Sequence, residues 1–407
     1  MARKALTDMY TRFWTDNKDG HMLPVHCGHV VEKPRMIWEM AMLLIAMETY
    51  YDATQDEETK QRIVNTWEYL KTCFSKEEME GRFGFEPNLA LDDTGWDIMT
   101  YIMAYRFTGD AEALEMAKNC LLGAYEHWKD GELSNGLWYN DQKQYLGDHW
   151  KSSYIVSLLI SALEYADITK DTPLYSQELF NQTMTLYEWV ERELRRDRCI
   201  TIENGLWDGN SYSIDVVDYL YWIDYNKDRV GHVERFGPDG GTRPNDIHEF
   251  GSVSALFANM GMAAINQKLY EITGNSFYME KALQTSHSIA ITYNCNGSYI
   301  NDRDANTNAT MLRYFIHTLL CRPETTPEER DLLFRTADNI FATGQQNNGL
   351  YYPFWNRIIT PGEPLRACDL ESIMINATSV TMICGAALLE SLGFSPSYDE
   401  NPMSHNL

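Results

Sequence analysis

Helical periodicity recurs along almost the whole of this chain and restricts its fold more than any other feature. Apolar residues repeat at intervals of three and four, turn residues separate the repeats, and the strict alternation that strands need is rare. The pattern therefore predicts an all-α protein. The twelve predicted helices span 3–17, 34–54, 57–75, 93–108, 110–128, 149–168, 174–196, 250–273, 276–293, 305–321, 326–344 and 369–392.

Two kinds of helix alternate along the chain, and this alternation predicts their arrangement. Segments such as 38–53 and 155–166 are apolar nearly all round, whereas many of their partners are amphipathic and charged, as an inner and an outer ring require. The turn sequence Tyr-x-x-Thr-Gly-Asp/Asn occurs at 105–110 and again at 270–275, which indicates internal repeats. We therefore expect an (α/α)6 barrel, a toroid of six helical hairpins. Because no linker separates two halves, we expect one domain over 1–407.

Charge and composition exclude several classes of function. The formal net charge of -25 argues against binding to nucleic acid or to anionic membrane surfaces. Hydrophobic residues make up 44% and charged residues 23% of the chain, which is typical of a globular protein and not of a disordered or membrane protein. Aromatic residues reach 13%, and large aromatic faces suit the stacking of sugar rings, although large helical cores also use them.

Cysteine and histidine placement bears on compartment and metal content. The eight cysteines are scattered without a C-x-x-C pair, and residues 1–20 show no secretion signal. We expect a cytoplasmic protein for the chain as given, or an extracellular or periplasmic one if a leader was removed. His21, His26 and His29 lie near Cys27, but their spacing fits no common ligand pattern, so no metal is expected.

Two adjacent carboxylates, Asp92 and Asp93, open an apolar and aromatic helix. Asp92 occupies the position expected for an N-cap, where backbone N–H groups and the helix dipole favour its ionised form. The like charge beside it then raises the pKa of Asp93. Glycoside hydrolysis needs this division between one ionised and one protonated carboxyl. The alternative is a helix cap with a solvated neighbour.

Segments spread along the chain resemble glycoside hydrolase family 76, whose members are mostly endo-α-1,6-mannanases on an (α/α)6 barrel. Leu91–Trp96 is similar to the family's Asp-Asp-x-x-Trp motif, and Asn135–Tyr139 is similar to its Gly-Gly-x-Trp-Trp loop. Five further segments match in order: Trp38–Ala41, Lys151–Ser153, Gly205–Gly209, Phe257–Gly261 and Arg313–Phe315.

The resemblance implies roles for the acidic residues. Asp92 would be the nucleophile and Asp93 the general acid/base, in agreement with the dipole argument. Trp96 completes the motif and is expected to contact substrate. Asp97 stands where most members place a second Trp, so it is either a third acidic group in the cleft or a solvated helix residue.

Departures from the family motifs bear on the substrate. Ser152 replaces an Asn, the segment around Asn259 lacks the family's Tyr and Gln, and 308–310 lacks its Phe-Lys-Gly. Sugar sites combine planar polar side chains with aromatic rings. The candidates for lining subsites are Trp138, Tyr139, Trp207, Asp208, Asn259 and Trp355.

The sequence thus predicts an enzyme that hydrolyses an α-linked oligo- or polysaccharide, most of all an α-1,6-mannan, with retention and without a cofactor. Four alternatives stay open: a transglycosylase, a hydrolase of another glycan, a sugar epimerase using residues such as His248, and a sugar-binding protein without turnover.

Overall fold

The structure is a computed structural model of the 407-residue chain. It describes residues 1–15, 20–22, 25–26, 29–30, 38–73, 90–139, 151–195, 200–207, 210–216, 219–221, 224–225, 256–295, 297–299, 308–343, 349–351, 355 and 373–398.

Helices dominate the described part of the chain, and each of the twelve predicted segments overlaps one of them. The all-α class is therefore confirmed. A five-residue π-helical segment, Ile316–Leu320, continues the tenth helix. The helices are α1 Ala2–Phe13, α2 Trp38–Thr54, α3 Glu57–Cys73, α4 Leu91–Thr108, α5 Ala111–His127, α6 Val156–Thr169, α7 Gln177–Glu193, α8 Leu256–Thr273, α9 Ser276–Thr292, α10 Asn308–Phe315, α11 Pro327–Thr343 and α12 Ile373–Ser391.

Short antiparallel strand pairs connect some of the helices. The longest hairpin pairs Ile200 with Val216 and Trp207 with Asn210, with an irregularity between Ile202 and Gly205. The pairs are β1 Val25–His26 with β2 His29–Val30, β3 Lys129–Asp130 with β4 Glu132–Leu137, β5 Lys151–Ser152 with β8 Asp224–Tyr225, β6 Ile200–Trp207 with β7 Asn210–Val216, and β9 Asn294–Cys295 with β10 Ser298–Tyr299.

The chain forms two compact units. The first unit comprises residues 1–73 and 289–407, and the second comprises 74–288. Within the first unit, α12 packs against α1, α2, α10 and α11. Within the second unit, α4 packs against α5 and α6, and α6 packs against α7 and α8. The expectation of one domain over 1–407 stays a prediction.

Burial separates the two predicted kinds of helix. In α8 every residue from Leu256 to Leu269 is buried, as an inner helix requires. In α7 the buried residues are confined to one face, as an outer helix requires. No helix of the described residues is long and apolar enough to cross a membrane.

The repeated turn has the same geometry in both predicted copies. Gly109 and Gly274 have φ values of 74° and 69°. Their N–H groups donate to the backbone carbonyls of Tyr105 and Tyr270, each at 2.8 Å. Glycine adopts such φ values without the penalty that a Cβ brings.

A third copy lies between α2 and α3 and was not predicted. Gln55, with a φ of 54°, takes the glycine position, and its N–H donates to the Tyr51 carbonyl at 2.7 Å. Asp56 then caps α3 by accepting from the Thr59 N–H at 3.0 Å. This copy could not be recognised in the sequence, because glutamine rarely adopts the left-handed backbone conformation.

Candidate active site

The two adjacent carboxylates lie in the first turn of α4, in the second compact unit. The N-cap is Ala90, with extended backbone (φ −87°, ψ 168°), so Asp92 and Asp93 are the second and third helical residues. The prediction that Asp92 is the N-cap is wrong. The helix begins earlier because the Leu91 N–H donates to the Tyr139 carbonyl at 3.0 Å, and the Asp93 carboxylate accepts from the Ala90 N–H at 3.4 Å.

Close packing against α6 holds this first turn in place. A Cβ on Gly95 would lie 2.3 Å from the Ser157 Oγ, so only glycine fits there without displacement. The Ser157 hydroxyl donates to the Leu91 carbonyl at 3.4 Å, and the Ser161 hydroxyl donates to the Gly95 carbonyl at 3.1 Å. The glycine of the Asp-Asp-x-x-Trp segment therefore allows α4 and α6 to approach beside the carboxylates.

Burial controls the protonation of the pair. Asp92 is 7% exposed and Asp93 is partly buried. Burial, and then the charge of Asp93, raises the pKa of Asp92 well above its usual range, while a hydrogen bond with the Tyr139 side chain opposes the rise. Burial raises the pKa of Asp93 to about 6, with the Ala90 N–H acting in the opposite direction.

The predicted rise in the pKa of Asp93 is confirmed in direction, whereas the prediction that Asp92 is held ionised is wrong for the unliganded protein. The helix N-terminus favours the anion, but desolvation outweighs it because Asp92 lies beneath the protein surface.

No cation among the described residues compensates the two carboxyls. Burial is the largest cause of the raised pKa of each; Asp93, Tyr139 and backbone N–H groups also act on Asp92, and the Ala90 N–H acts on Asp93. One oxygen of Asp92, Oδ1, is buried without a hydrogen-bond partner among these residues. Two buried carboxyls in this state hold protons at a pH where free carboxyls have lost them. The arrangement can therefore supply both a proton donor and a nucleophile or base.

Three aromatic rings, those of Tyr139, Tyr154 and Phe257, pack in series near the carboxylate pair. Tyr139 follows β4, and its ring centroid lies 5.7 Å from that of Tyr154 at an interplanar angle of 47°. Tyr154 in turn stacks on Phe257 of α8, with centroids 4.9 Å apart and an angle of 16°. Phe257 is fully buried, whereas both tyrosines are only partly buried. Sequence reasoning missed Tyr154, although it directly follows the Lys151–Ser153 segment.

A buried lysine fixes the hairpin that carries the predicted Trp138 and Tyr139. Lys151 is 5% exposed, and its Nζ lies 2.8 Å from Asp130 Oδ2 and 4.5 Å from the centroid of the Trp138 ring. Gly136 has a φ of 82°, and a Cβ there would lie 2.4 Å from the Trp189 ring. The Asn-Gly-x-Trp-Tyr segment thus has its glycine where a side chain does not fit, and it places Trp138 beside a cation.

Trp96 and Asp97 are both buried, at 3% and 5% exposure. The reading of Asp97 as a solvated residue is wrong, because its side chain lies inside the protein. Its charge, after burial, contributes to the raised pKa of the Cys120 thiol on α5. Asp97 therefore lies near α5, and a sugar contact by Trp96 or Asp97 stays a prediction.

The remaining predicted site residues have different outcomes. Asn259 is fully buried and accepts from the Tyr221 N–H at 2.9 Å, so it supports backbone and presents no surface to a ligand. Trp355, in the first unit, is 1% exposed and donates from Nε1 to Ser379 at 3.3 Å, which gives it a core position. Trp207 ends β6, and Asp208 lies outside the described residues.

The histidines that the structure describes near the N-terminus have contacts or strand pairing of their own. His21 stacks on Tyr69, with ring centroids 3.5 Å apart, and His26 pairs with His29 across β1 and β2. In the part of the chain that the structure describes, no three His, Cys, Asp or Glu residues are grouped so as to hold a metal. Cys27 and His248 lie outside that part.

Comparison with known proteins gives structural matches only. No protein-family model matches the sequence, and no curated protein matches it. An inactive variant of the α-1,6-mannanase GH76A of Salegentibacter sp. HEL1_6, in complex with α-1,6-mannotriose, is similar in structure with a TM-score of 0.67 and 16% identity. The match covers 95% of this chain and 98% of that chain.

Two further solved structures extend this likeness. A GH76 α-mannanase of Bacteroides thetaiotaomicron has a TM-score of 0.62 and 15% identity, over 96% of this chain and 95% of its own. Dfg5 of Chaetomium thermophilum, in complex with glucosamine, also has a TM-score of 0.62, with 13% identity over 96% of this chain and 89% of its own. The chain thus has the fold of the family 76 enzymes, and the predicted (α/α)6 barrel is confirmed. The resemblance seen in the sequence is confirmed at the level of the fold.

Proposed function

We propose that this chain is a glycoside hydrolase of family 76 that cleaves α-1,6-linked mannosides with retention of configuration. The observation that carries the proposal is the buried pair Asp92 and Asp93, which has no cationic partner among the described residues. The fold adds support, because it is shared with an α-1,6-mannanase whose inactive variant has two adjacent aspartates replaced.

In the proposed reaction Asp92 attacks the anomeric carbon while Asp93 donates its proton to the leaving glycosidic oxygen. The C–O bond of the substrate breaks, and a glycosyl ester of Asp92 forms. Asp93, now ionised, takes a proton from water as that water attacks the ester, which releases the sugar and restores both carboxyls. Such a double displacement uses carboxyls about 5–5.5 Å apart.

The environment of Asp93 suits its proposed role, whereas burial in the unliganded protein favours the protonated form of Asp92. A pKa of about 6 leaves Asp93 able to donate and to accept a proton near neutral pH. Asp92 needs to be ionised to attack. Because the charge of Asp93 is one cause of the raised pKa of Asp92, protonation of Asp93 removes that cause and favours the Asp92 anion. The pair can thus adopt the required state with one shared proton.

Nearby aromatic groups supply surfaces for the sugar rings. Trp138 and Tyr139 are partly exposed, and both lie on the segment whose backbone bonds the first turn of α4. Tyr154 continues the aromatic surface beside Tyr139. These three rings are the proposed subsite walls next to the reacting bond.

A product screen tests the proposal. Purified protein is incubated with α-1,6-mannooligosaccharides, α-1,6-mannan and other α- and β-linked glycans, and Asp92→Asn and Asp93→Asn are run in parallel. Asp110→Asn is the matched control, because Asp110 is a partly exposed helix-capping carboxylate in the same unit. We expect cleavage of α-1,6-mannosides by the wild type and the control, and none by the two site variants.

The stereochemistry of the first product separates the mechanisms. Proton NMR of the newly formed anomeric centre is expected to show the α-anomer first. A β-anomer would overturn the retaining mechanism, and full activity of both Asp92→Asn and Asp93→Asn would overturn the site. Transfer to an added sugar in preference to water would identify a transglycosylase using the same intermediate.

A further inference from the structure

Lys151 is a buried cation beside the proposed subsite walls. Its side chain is 6% exposed, and its Nζ lies 2.8 Å from Asp130 Oδ2. The same ammonium donates to the backbone carbonyl of Asn135. Burial of an ammonium is unfavourable unless opposite charge and hydrogen bonds compensate for it. Because the Asp130 side chain is 43% exposed, an ion pair with it does not require a buried lysine, and the burial of Lys151 needs a further reason.

Two indole rings lie within cation–π distance of this ammonium. The Lys151 Nζ is 4.5 Å from the centroid of the Trp138 ring and 5.9 Å from the centroid of the Trp189 ring. Trp189 is 2% exposed, whereas Trp138 is only partly buried. Since the cation lies over one face of Trp138, the ring has only its other face for stacking on a sugar. The attraction to the cation also restricts the orientation of that ring.

Lys151 also connects the two segments that carry the subsite walls. Trp138 and Tyr139 directly follow β4, and Tyr154 comes three residues after Lys151. The ring centroids of Tyr139 and Tyr154 are 5.7 Å apart. The Lys151 ammonium bonds to the β3–β4 hairpin, while the backbone of Lys151 belongs to β5, just before α6. One side chain thus ties the wall formed by Trp138 and Tyr139 to the wall formed by Tyr154.

We propose that Lys151 is a positioning residue for substrate binding: its ammonium holds Trp138 in one orientation, so that the other face of the indole ring stacks on a sugar of the bound glycan. Such a role changes the affinity for the glycan and not the chemical step. A merely structural role would lower stability without a selective effect on KM. The inference rests on the proposed hydrolase function for its kinetic consequence, but the contact between Lys151 and Trp138 can be tested without turnover.

The first test is kinetic and uses Lys151→Met, which keeps an unbranched apolar side chain and removes the charge. The matched control is Lys129→Met, because Lys129 lies on β3 of the same hairpin and pairs at the surface with Glu126, whose side chain is 77% exposed. We expect KM of Lys151→Met for α-1,6-mannooligosaccharides to rise by about 10-fold, with little change in kcat. The control should match the wild type. An unchanged KM, or a loss confined to kcat, would overturn the inference.

A double-mutant cycle shows whether Lys151 acts through Trp138. Trp138→Ala removes the proposed platform and should itself raise KM. Adding Lys151→Met to Trp138→Ala should then raise KM no further, because the ammonium has no ring left to hold. Increases in KM that multiply in the double variant would contradict the proposed route.

A milder variant covers the case in which Lys151→Met does not fold. Asp130→Asn removes the partner charge of Lys151 at a half-exposed position, so folding should persist. We expect its KM to rise by about 2- to 3-fold, because the ammonium is held less firmly over Trp138. A wild-type KM in Asp130→Asn, with Lys151→Met unfolded, would overturn the inference.

The last test needs no turnover. The indole nitrogens of tryptophan are labelled with nitrogen-15, and the Trp138 signal is assigned by its loss in Trp138→Phe. We expect this signal to shift and to show greater mobility in Lys151→Met and to stay unchanged in Lys129→Met. If the wild type cleaves no glycan, the proposed function fails while this spectrum still decides whether Lys151 holds Trp138. If the wild type is active but both the signal and KM are unchanged in Lys151→Met, only this inference fails.

Discussion

Two pairs of buried carboxyls, one in each compact unit, have opposite surroundings. In α2, Glu48 is 4% exposed and the side chain of Asp52 is 5% exposed. Arg313 Nε lies 3.0 Å from Glu48 Oε2, and Arg313 Nη2 lies 3.3 Å from Asp52 Oδ2. His317, in the π-helical segment, contacts Asp52 at 2.8 Å. Asp92 and Asp93 are also removed from water, yet no described cation pairs with them.

The difference shows that burial of a carboxyl does not by itself mark a reaction centre. A buried carboxyl next to an arginine stays ionised and contributes to structure. A buried pair without a cation has raised pKa values and can exchange protons with a substrate. The counterion, and not the depth, separates the two pairs.

The largest expected effect comes from replacing one aspartate of each pair by asparagine, Asp92 in one pair and Asp52 in the other. Asp92→Asn should lower the proposed glycosidase activity by ~10³-fold or more, because it removes the proposed nucleophile. It should leave the free energy of unfolding at pH 7 unchanged or higher, because burial disfavours the Asp92 anion.

Asp52→Asn should have the opposite profile. It should lower the free energy of unfolding by about 1–3 kcal/mol, because hydrogen bonds with Arg313 and His317 lose their charge, while activity remains. Chemical denaturation and initial rates measured on the same preparations check both variants. Equal stability losses at the two sites would contradict the distinction between the pairs.

An effect of similar size to the activity loss is expected from removing the cation of the structural pair. Arg313→Met should cost about 3–5 kcal/mol of unfolding free energy, because Glu48 and Asp52 are left without compensation. Arg192→Met is the control, since that side chain is 53% exposed and its ion pair should contribute about 0–1 kcal/mol.

Neutralising the carboxyls should then restore stability. Adding Glu48→Gln and Asp52→Asn to Arg313→Met should recover part of the loss in urea denaturation. No recovery would mean that the arginine acts through packing and not through charge.

The next prediction concerns the close approach of α4 and α6 beside Asp92 and Asp93. Gly95→Ala should destabilise by about 1–3 kcal/mol, although alanine favours helices, because its Cβ would lie 2.3 Å from the Ser157 Oγ. Activity should also fall, since α4 is displaced. Adding Ser157→Gly should restore stability in part, as thermal unfolding can show. Additive losses in the double variant would contradict the proposed contact.

The smallest expected effect is a pH dependence of stability. The folded-state pKa of Asp93, about 6, lies above its usual value. The stability that this carboxyl contributes is therefore fully present below about pH 4 and is lost as the pH rises through 6. Relative to Asp93→Asn, wild-type unfolding free energy should fall by on the order of 1–2 kcal/mol between pH 4 and 7. Urea titrations at four pH values measure this difference, and a wild-type advantage that grows with pH would contradict it.

Much of the fold was predictable from local pattern. The inner helices, such as α8, are apolar on all sides, and the outer helices, such as α7, have one apolar face, so burial follows from the spacing of residues. The predictions that were wrong concern residues whose role is set by a hydrogen bond with a segment distant in the sequence. Asp92 is not the N-cap because the carbonyl of Tyr139 binds the Leu91 N–H and moves the helix start. Asn259 was predicted to line a sugar subsite because its side chain is polar. In the structure that side chain accepts a hydrogen bond from the Tyr221 N–H.

The sequence by itself determined the helices, the repeated turns and the adjacency of Asp92 and Asp93, because these depend on residues a few positions apart. Tertiary structure alone decided which carboxyls are paired with a cation and which are not. Arg313 is far from Glu48 and Asp52 in the chain, and Tyr139 is far from Asp92, so no local pattern records either contact. A carboxyl's pKa depends on the dielectric and the charges within a few ångströms, and folding is what brings those groups together.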